Sequence, residues 1–500
     1  MTMENNNAIL TENNPDKKQV YQKSEKILLA LAFVLAVLCD RLFFDIILNH
    51  GEHGNIIFFA AIFEICLLAV FCAFNWEKIY KKPFLWVVAG LILTLCAWNF
   101  VFDYAGSYGM LSFVVIPASL MMFCQLVSDA PELKNIKHMI ASWFLGWFIK
   151  PFVAMHKCVG ALSAMLFPKG SAKNAVIKKI LAAVIVTVPL LLVLTALLSG
   201  ADKVFGYYAE KILSAFSFWD FVLHAFLIAA AFLLLYSFFW HTRYEKPVNL
   251  EIRESSFKID NVVSHIILGS VLVLYALFCA VQFAYLFASA GLPPGVSYSD
   301  YARKGFAQIV VVSGINLVIF GIMVKYGEKS IALKIMLYAF LAVTGIMLAS
   351  GFVRLGLYIN TFGMTFLRLI SAWFIIYLAL VLILCYARLL IPKLPLVAVS
   401  AVLLLACYNV LGYINPDAFI VRYNLAQYSE YTADDWVEEN QSYVFYDLSD
   451  DALNALIEKG LNKDRYSDFL GERHSEASAK KSYASAKLKS ALNSPNQQYY

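Results

Sequence analysis

Five hundred residues that are 61% hydrophobic, 15% aromatic and only 15% charged, with a formal net charge of +5, exclude an ordinary soluble protein. A water-exposed surface normally needs about 25% charged residues. Nucleic acid is not implied either, because orientation in a membrane and attraction to anionic lipid account for the lysines.

The first 26 residues are a polar N-tail on the cytoplasmic side. They are too long for the charged leader of a signal peptide, and Leu38 before Cys39 spoils a lipoprotein cleavage site, so the first apolar span is expected to stay as an anchor. A spanning helix needs about 20 mainly apolar residues. Such stretches run over 27–48, 56–74, 84–102, 110–127, 180–198, 220–240, 262–288, 306–324, 332–352, 366–386 and 395–412. Their continuity lacks the alternation of barrel strands, and helices then remain as the way to bond the backbone inside hydrocarbon. The predicted fold class is all-α, a polytopic transmembrane helical bundle of about 11 spans over 27–412.

Segment 139–167 interrupts this series. Its apolar run MIASWFLGWFI stops at Lys150 and Pro151. That length suits an interfacial or re-entrant helix, and Trp143 and Trp147 beside lysines suit the headgroup layer. If the segment spans instead, there are twelve spans and the tail lies inside.

Lysine and arginine concentrate on the cytoplasmic side of short loops. With the N-terminus inside, the inner segments hold 24 of them and the outer connections seven. The other nine follow the last span, in a tail with fourteen acidic residues. The expected topology is N-inside, C-outside.

The tail, 413–500, reads as a small soluble helical domain. Thr432 with Asp435 is a capping-box pattern, and Ser449, Asp450 and Asp451 through Gly460 bracket a second helix. Beyond about 471 the Ala, Ser and Lys composition predicts disorder or marginal helix. The nine cysteines all sit in or beside apolar stretches without a CxxC pair, and read as small buried hydrophobes.

Ionisable residues in or beside spans are costly and are candidates for function. In this topology Asp202 ends span five on the outer side, and Arg303 opens span eight there. Arg354 leaves span nine into the outer loop, and Arg368 enters span ten from it. Asn415, Asp417 and Arg422 follow span eleven. One reading makes these snorkelling charges and helix-end ion pairs. The other makes them a ligand site, since arginines at outer helix ends run against the positive-inside rule and a guanidinium fork suits phosphate or carboxylate. An anionic headgroup, a lipid-linked glycan phosphate or an anionic solute would then be held.

Glu64, near the middle of span two, is either a proton-relay carboxylate or a protonated helix contact. Asn99, Gln125, Gln282, Asn316 and Asn409 read as interhelical hydrogen-bonding groups. His50, Glu52 and His53 in the first outer loop are a weak metal signal. Phosphate-loop, dinucleotide, zinc-protease and serine-hydrolase motifs are missing, so no catalytic residue, cofactor or metal is expected.

The strings SADKVF, LPPGVSYSDYARKGFAQ, RLGLYINTFGMTFLR and NPDAFIVRYN occur in this order. They resemble the signatures of a bacterial multi-pass membrane family catalogued as domain of unknown function 4173, related to the 4153 group. The resemblance implies a bacterial cytoplasmic-membrane location and no established activity, and it supplies no catalytic residue. Its strings at 199–205, 301–306, 354–368 and 415–424 coincide with the outer cluster.

Three function classes remain open. A non-enzymatic envelope protein would use the outer cluster and tail to bind an anionic lipid, a lipid-linked glycan or an envelope protein, for sensing or assembly. A transporter of an anionic solute or lipid would need more than Glu64 near the midplane. A membrane-embedded enzyme acting on a lipid-linked substrate would need an acid/base pair such as Asp202 with Asp417.

Overall fold

The computed structural model describes residues 15–44, 53–102, 107–128, 136–166, 218–245, 257–286, 298–427, 432–479 and 482–493, with single helical positions at 187, 194 and 198. Among the described residues, nine helices are long and apolar enough to cross a membrane. They are α2 (His53–Phe74), α4 (Pro83–Val101), α5 (Ser107–Ser128), α9 (Phe218–Tyr244), α10 (Asn261–Leu286), α11 (Tyr298–Tyr326), α12 (Ile331–Phe362), α13 (Phe366–Leu390) and α14 (Leu396–Ile414). Each covers a predicted span, and the protein is a multi-pass, all-helical membrane bundle. The first predicted span falls in α1 (Pro15–Cys39) and the π-turn Asp40–Phe44 that follows it. The span predicted at 180–198 lies, but for those single positions, outside the described residues.

Short elements fill the remainder: α3 (Trp76–Ile79), α6 (Ile136–Phe148), α7 (Lys150–Val153) and α8 (Met155–Leu166). Segment 139–167 is thus a broken series of helices. Pro151 begins the break, because it has no N–H to give and restricts the residue before it. At 13 residues α6 is about 20 Å long, against about 30 Å of hydrocarbon.

The chain divides into two compact units. The first comprises residues 1–86, 120–130 and 140–248. In it α9 packs against α1, α7 and α8. Phe71 sits among Phe123, Phe238 and Phe239 with ring centroids 6.0 to 6.4 Å apart.

The second unit comprises 87–119, 131–139 and 249–500. Here α10, α11 and α12 pack on one another and α13 bridges α12 to α14. Neutral polar groups stitch these helices, since a charge would have to be desolvated at far greater cost. The Tyr275 hydroxyl donates to Asn316 Oδ1 (2.6 Å) and Asn316 Nδ2 to Thr344 Oγ1 (3.0 Å). Asn409 Nδ2 donates to the Leu91 carbonyl at 3.1 Å, and its Oδ1 accepts from Thr94 at 2.6 Å. Tyr108 and Tyr408 stack at 5.0 Å. Asn316 and Asn409 therefore join helices as their sequence positions suggest.

The tail folds into α15 (Pro416–Gln427), α16 (Ala433–Glu439), a π-turn (Tyr443–Asp447), α17 (Asp450–Glu458), α18 (Ser467–Ala479) and α19 (Tyr483–Asn493). Both expected signals act at their places: Thr432 and Asp435 form a reciprocal capping box, and Gly460 takes φ +88° just past α17. The tail has its own core, in which Val421, Val437, Val444, Leu453, Leu456 and Leu488 are buried. Beyond 471 the described residues 472–479 and 483–493 are helical, and α19 docks Leu488 into that core while Ser485 donates to the buried Asp450 at 2.7 Å.

Removing the α19 anchor by Leu488→Ala is expected to cost about 2–5 kcal/mol of tail stability. Urea unfolding followed by Trp436 fluorescence, with the bundle intact in detergent, checks it. A loss under about 0.5 kcal/mol, the range of ordinary surface changes, would mean that α19 does not support the core.

Candidate functional site

Helix α12 does not stop where hydropathy falls. It runs for 32 residues to Phe362, because no proline or capping residue interrupts it before Gly363. Arg354 is therefore a buried residue of α12, 4% exposed, and not part of a loop. The connection to α13 is only Gly363 to Thr365, with Gly363 at φ +75°, a left-handed conformation open to glycine.

So tight a turn leaves the last carbonyls of α12 in need of donors. Arg368, in the first turn of α13, supplies them: Nη1 donates to the Phe362 carbonyl at 2.7 Å and to the Gly363 carbonyl at 2.6 Å. Its guanidinium lies 4.4 Å from the centroid of the Tyr358 ring and donates to the Tyr358 hydroxyl at 3.3 Å. A cation at a helix C-terminus also meets the negative end of the macrodipole. Its place beside the end of α12 thus has a local structural cause.

Helix α15 lies along this turn. Asn424, 3% exposed, clamps Met364 from both sides: Oδ1 accepts from the Met364 N–H at 2.6 Å and Nδ2 donates to its carbonyl at 2.9 Å. Tyr423 donates to Asn360 Oδ1 at 3.2 Å, and Gln427 bonds the Asn360 carbonyl. The Phe366 N–H donates to the Tyr443 hydroxyl at 3.3 Å. Tyr443 feels both the Asp417 carboxylate and the Arg368 guanidinium, and burial first of all pushes its phenol up to about 12.

Asp417, 8% exposed, accepts the Ser449 N–H at 3.1 Å ahead of α17. Arg422 bridges to Glu458 at 3.3 Å, and Lys487 reaches the same carboxylate at 2.5 Å. Those two cations hold Glu458 below its ordinary 4.5, the Lys487 hydrogen bond most of all.

Of the six predicted cluster residues, the structure brings Arg368 and Asp417 to Tyr443 at the joint between turn and tail, while Arg422 faces Glu458 on the other side of α15. Arg354 stays within α12. Arg303 is in the second turn of α11, five residues after its start, and Asp202 lies outside the described residues. Glu64 is 6% exposed within α2. His50 and Glu52 also fall outside the described residues.

Beside the turn opens a polar cleft of about 250 Å³, lined by Thr365, Asn424, Trp436, Glu439, Asn440 and Tyr443 together with the turn itself. Among the described residues, no lysine or arginine lines it.

A family model matches residues 88–459, from α4 through the end of α17. The chain belongs to the family described as Domain of unknown function (DUF4153). That match takes in the turn, Asn424, the cleft and Glu458, and ends before α18 and α19. No curated protein and no solved structure matches this DUF4153 chain.

Sequence reasoning missed Glu439 and Tyr443, which carry no motif, and met Asn424 only as the last residue of the 415–424 string. The first unit buries two ionic sites, of which sequence reasoning missed the one at Lys150. Lys150, 1% exposed, donates to Gln125 Oε1 at 2.6 Å and Ser128 Oγ at 3.0 Å. Its own carbonyl accepts from Ser237 at 3.1 Å. Gly146 leaves room for Gln125, since a Cβ there would collide with the amide. Asp40, fully buried in the π-turn after α1, pairs with His224 of α9 at 2.8 Å.

Asn424→Ala would strip both bonds from Met364 and leave buried backbone groups unsatisfied, at about 1–3 kcal/mol. Faster hydrogen exchange in α15 and at the 363–366 turn is the expected readout, with unchanged exchange counting against the clamp. Acid is expected to loosen the α15–α17–α19 bridge. A carboxyl held below 4.5 contributes above its unfolded value, and that contribution is lost as pH falls through the lower folded value. Glu458 is 44% exposed, so solvent screening keeps the effect small. Glu458→Gln should remove that acid step from a pH titration of tail stability.

Proposed function

We propose that the protein is a non-enzymatic component of a bacterial envelope, seated in the cytoplasmic membrane with its tail outside, that senses or assembles by receiving an envelope protein at the cleft beside the α12–α13 turn. The observation that carries this reading is the clamp of Asn424 on Met364 with Tyr443 on Phe366. A soluble domain held on the three-residue turn between two spans passes a shift at the cleft directly to α12 and α13. The lining supports a polar protein segment over a free anion, because it offers Glu439, two amides and a phenol, and Arg368 is committed to the helix end. The lysine and arginine asymmetry supports the outer placement, and the four ordered strings support the 4173 kinship.

A transport reading is favoured by a separate observation. Glu64 and Lys150 are both buried within the first unit, where ionisable side chains are costly and mark conduction paths. Glu64→Gln abolishing function with the cleft intact would favour it.

A photo-crosslinking residue at Glu439 in intact cells tests the main reading, together with a cysteine at Ser442 in a cysteine-free background and Lys246 as the inner control. Labelling of Ser442 by an impermeant reagent is expected, with a discrete protein adduct at Glu439 that weakens in Asn424→Ala. A protected Ser442, or no adduct at normal expression, would sink the proposal.

A further inference from the structure

A second cavity, of about 420 Å³, opens where α4 and α14 end beneath the tail helices. Its two walls differ in kind. Val101, Phe102, Tyr413 and Ile414 form one, at the ends of two membrane spans. Val101 and Ile414 are the last residues of those spans and both are exposed, so this wall continues the apolar surface of the bundle. The other wall comes from α15, α17 and α19 and carries Arg422, Lys487, Asp451 and Glu458. Two positive and two negative side chains leave that wall with no net charge.

We propose that this cavity holds the headgroup of a zwitterionic, amine-bearing phospholipid. The cations have donors to spare. Among the described residues Arg422 gives one hydrogen bond and Lys487 one, both to Glu458, although a guanidinium has five N–H groups and an ammonium three. They flank a single carboxylate and line the same cavity, where a phosphate diester oxygen would take their remaining donors in charge-assisted bonds. The Tyr483 side chain, 66% exposed, lines the same cavity. Asp451 on the cavity wall already makes an interaction of its own, and its carboxylate, with about four acceptor positions, can take a primary ammonium as well. A headgroup with both charges satisfies this neutral wall, whereas a purely anionic one leaves the carboxylates opposed. The apolar wall takes the glycerol and first methylenes, which a free phosphate ester lacks. Val101, Phe102, Tyr413 and Ile414 thus separate a lipid from a soluble phosphate of the same chemistry. This site is independent of the cleft beside the α12–α13 turn, and its test reads neither partner capture nor sidedness.

The experiment is native mass spectrometry of the full chain in detergent, titrated with phosphatidylethanolamine, phosphatidylcholine and phosphatidylglycerol in turn. One retained phosphatidylethanolamine is expected, bound about tenfold more tightly than phosphatidylglycerol, the factor that one charge-assisted hydrogen bond supports. Phosphatidylcholine, whose quaternary ammonium has no N–H for Asp451, is expected between them. Arg422→Gln and Asp451→Asn should each weaken phosphatidylethanolamine about tenfold, and Asp451→Asn should erase its margin over phosphatidylcholine. Tyr483→Phe, on an exposed side chain, keeps the test open if a charge variant fails to fold, with a weakening of about threefold expected from one neutral hydrogen bond. Equal binding of the three lipids, preference for phosphatidylglycerol, or binding unmoved by all three variants would overturn the proposal. Competition by glycerophosphoethanolamine as effective as that of the intact lipid would also overturn it, by showing a soluble phosphate ester to be the ligand.

Discussion

A helix that ends beside a membrane must find donors for its last carbonyls, and a three-residue turn between two long spans leaves almost no backbone to provide them. In this protein the demand falls at the end of α12, and the second unit's tail end is organised around meeting it. Arg368 gives its guanidinium to Phe362 and Gly363, and Asn424 closes on Met364. The turn is thereby fixed, and with it the place where the tail attaches. Gly363 belongs to the same solution, since at φ +75° a Cβ would also approach Asn424 Oδ1 to 2.9 Å.

Helix α15 is the element through which the tail meets this constraint, and it serves two surfaces. Ala418 and Arg422 are four residues apart and share one face, which borders the cavity at the ends of α4 and α14. Asn424, two positions on, points to the other side and borders the polar cleft. One helix thus lies between a mixed apolar and charged cavity and a more polar cleft, while its Val421 enters the tail core. Movement of α15 would be felt at both. A sensing or assembly role uses that linkage, and a lipid held in the cavity would set the height of the tail above the bilayer.

The two units handle polarity differently. In the second, the groups that join helices are neutral amides and hydroxyls, as at Asn316 and Asn409, while α12 also buries Arg354. The first instead buries Lys150 and the Asp40–His224 pair. Lys150 ends an apolar run that reads in sequence as ordinary interfacial helix, and its partners Gln125, Ser128 and Ser237 come from remote parts of the chain. No local pattern announces such a site.

The sequence by itself determined the class of the molecule and most of its helices. Runs of about 20 apolar residues have no other stable form in hydrocarbon, which is why spans such as 56–74 and 395–412 agree with α2 and α14. Local capping was legible for the same kind of reason, since Thr432 and Asp435 are three residues apart and need nothing else. Only the tertiary structure decided what the charged residues do. Hydropathy put the end of span nine near 352, but a helix ends where its backbone finds another partner, and that place is Gly363. Arg354 consequently lies within the helix, Arg368 caps it, and Arg422 pairs with a glutamate 36 residues away. A charge's role is set by the groups it faces, and those groups are brought together by long-range packing that composition and spacing do not encode.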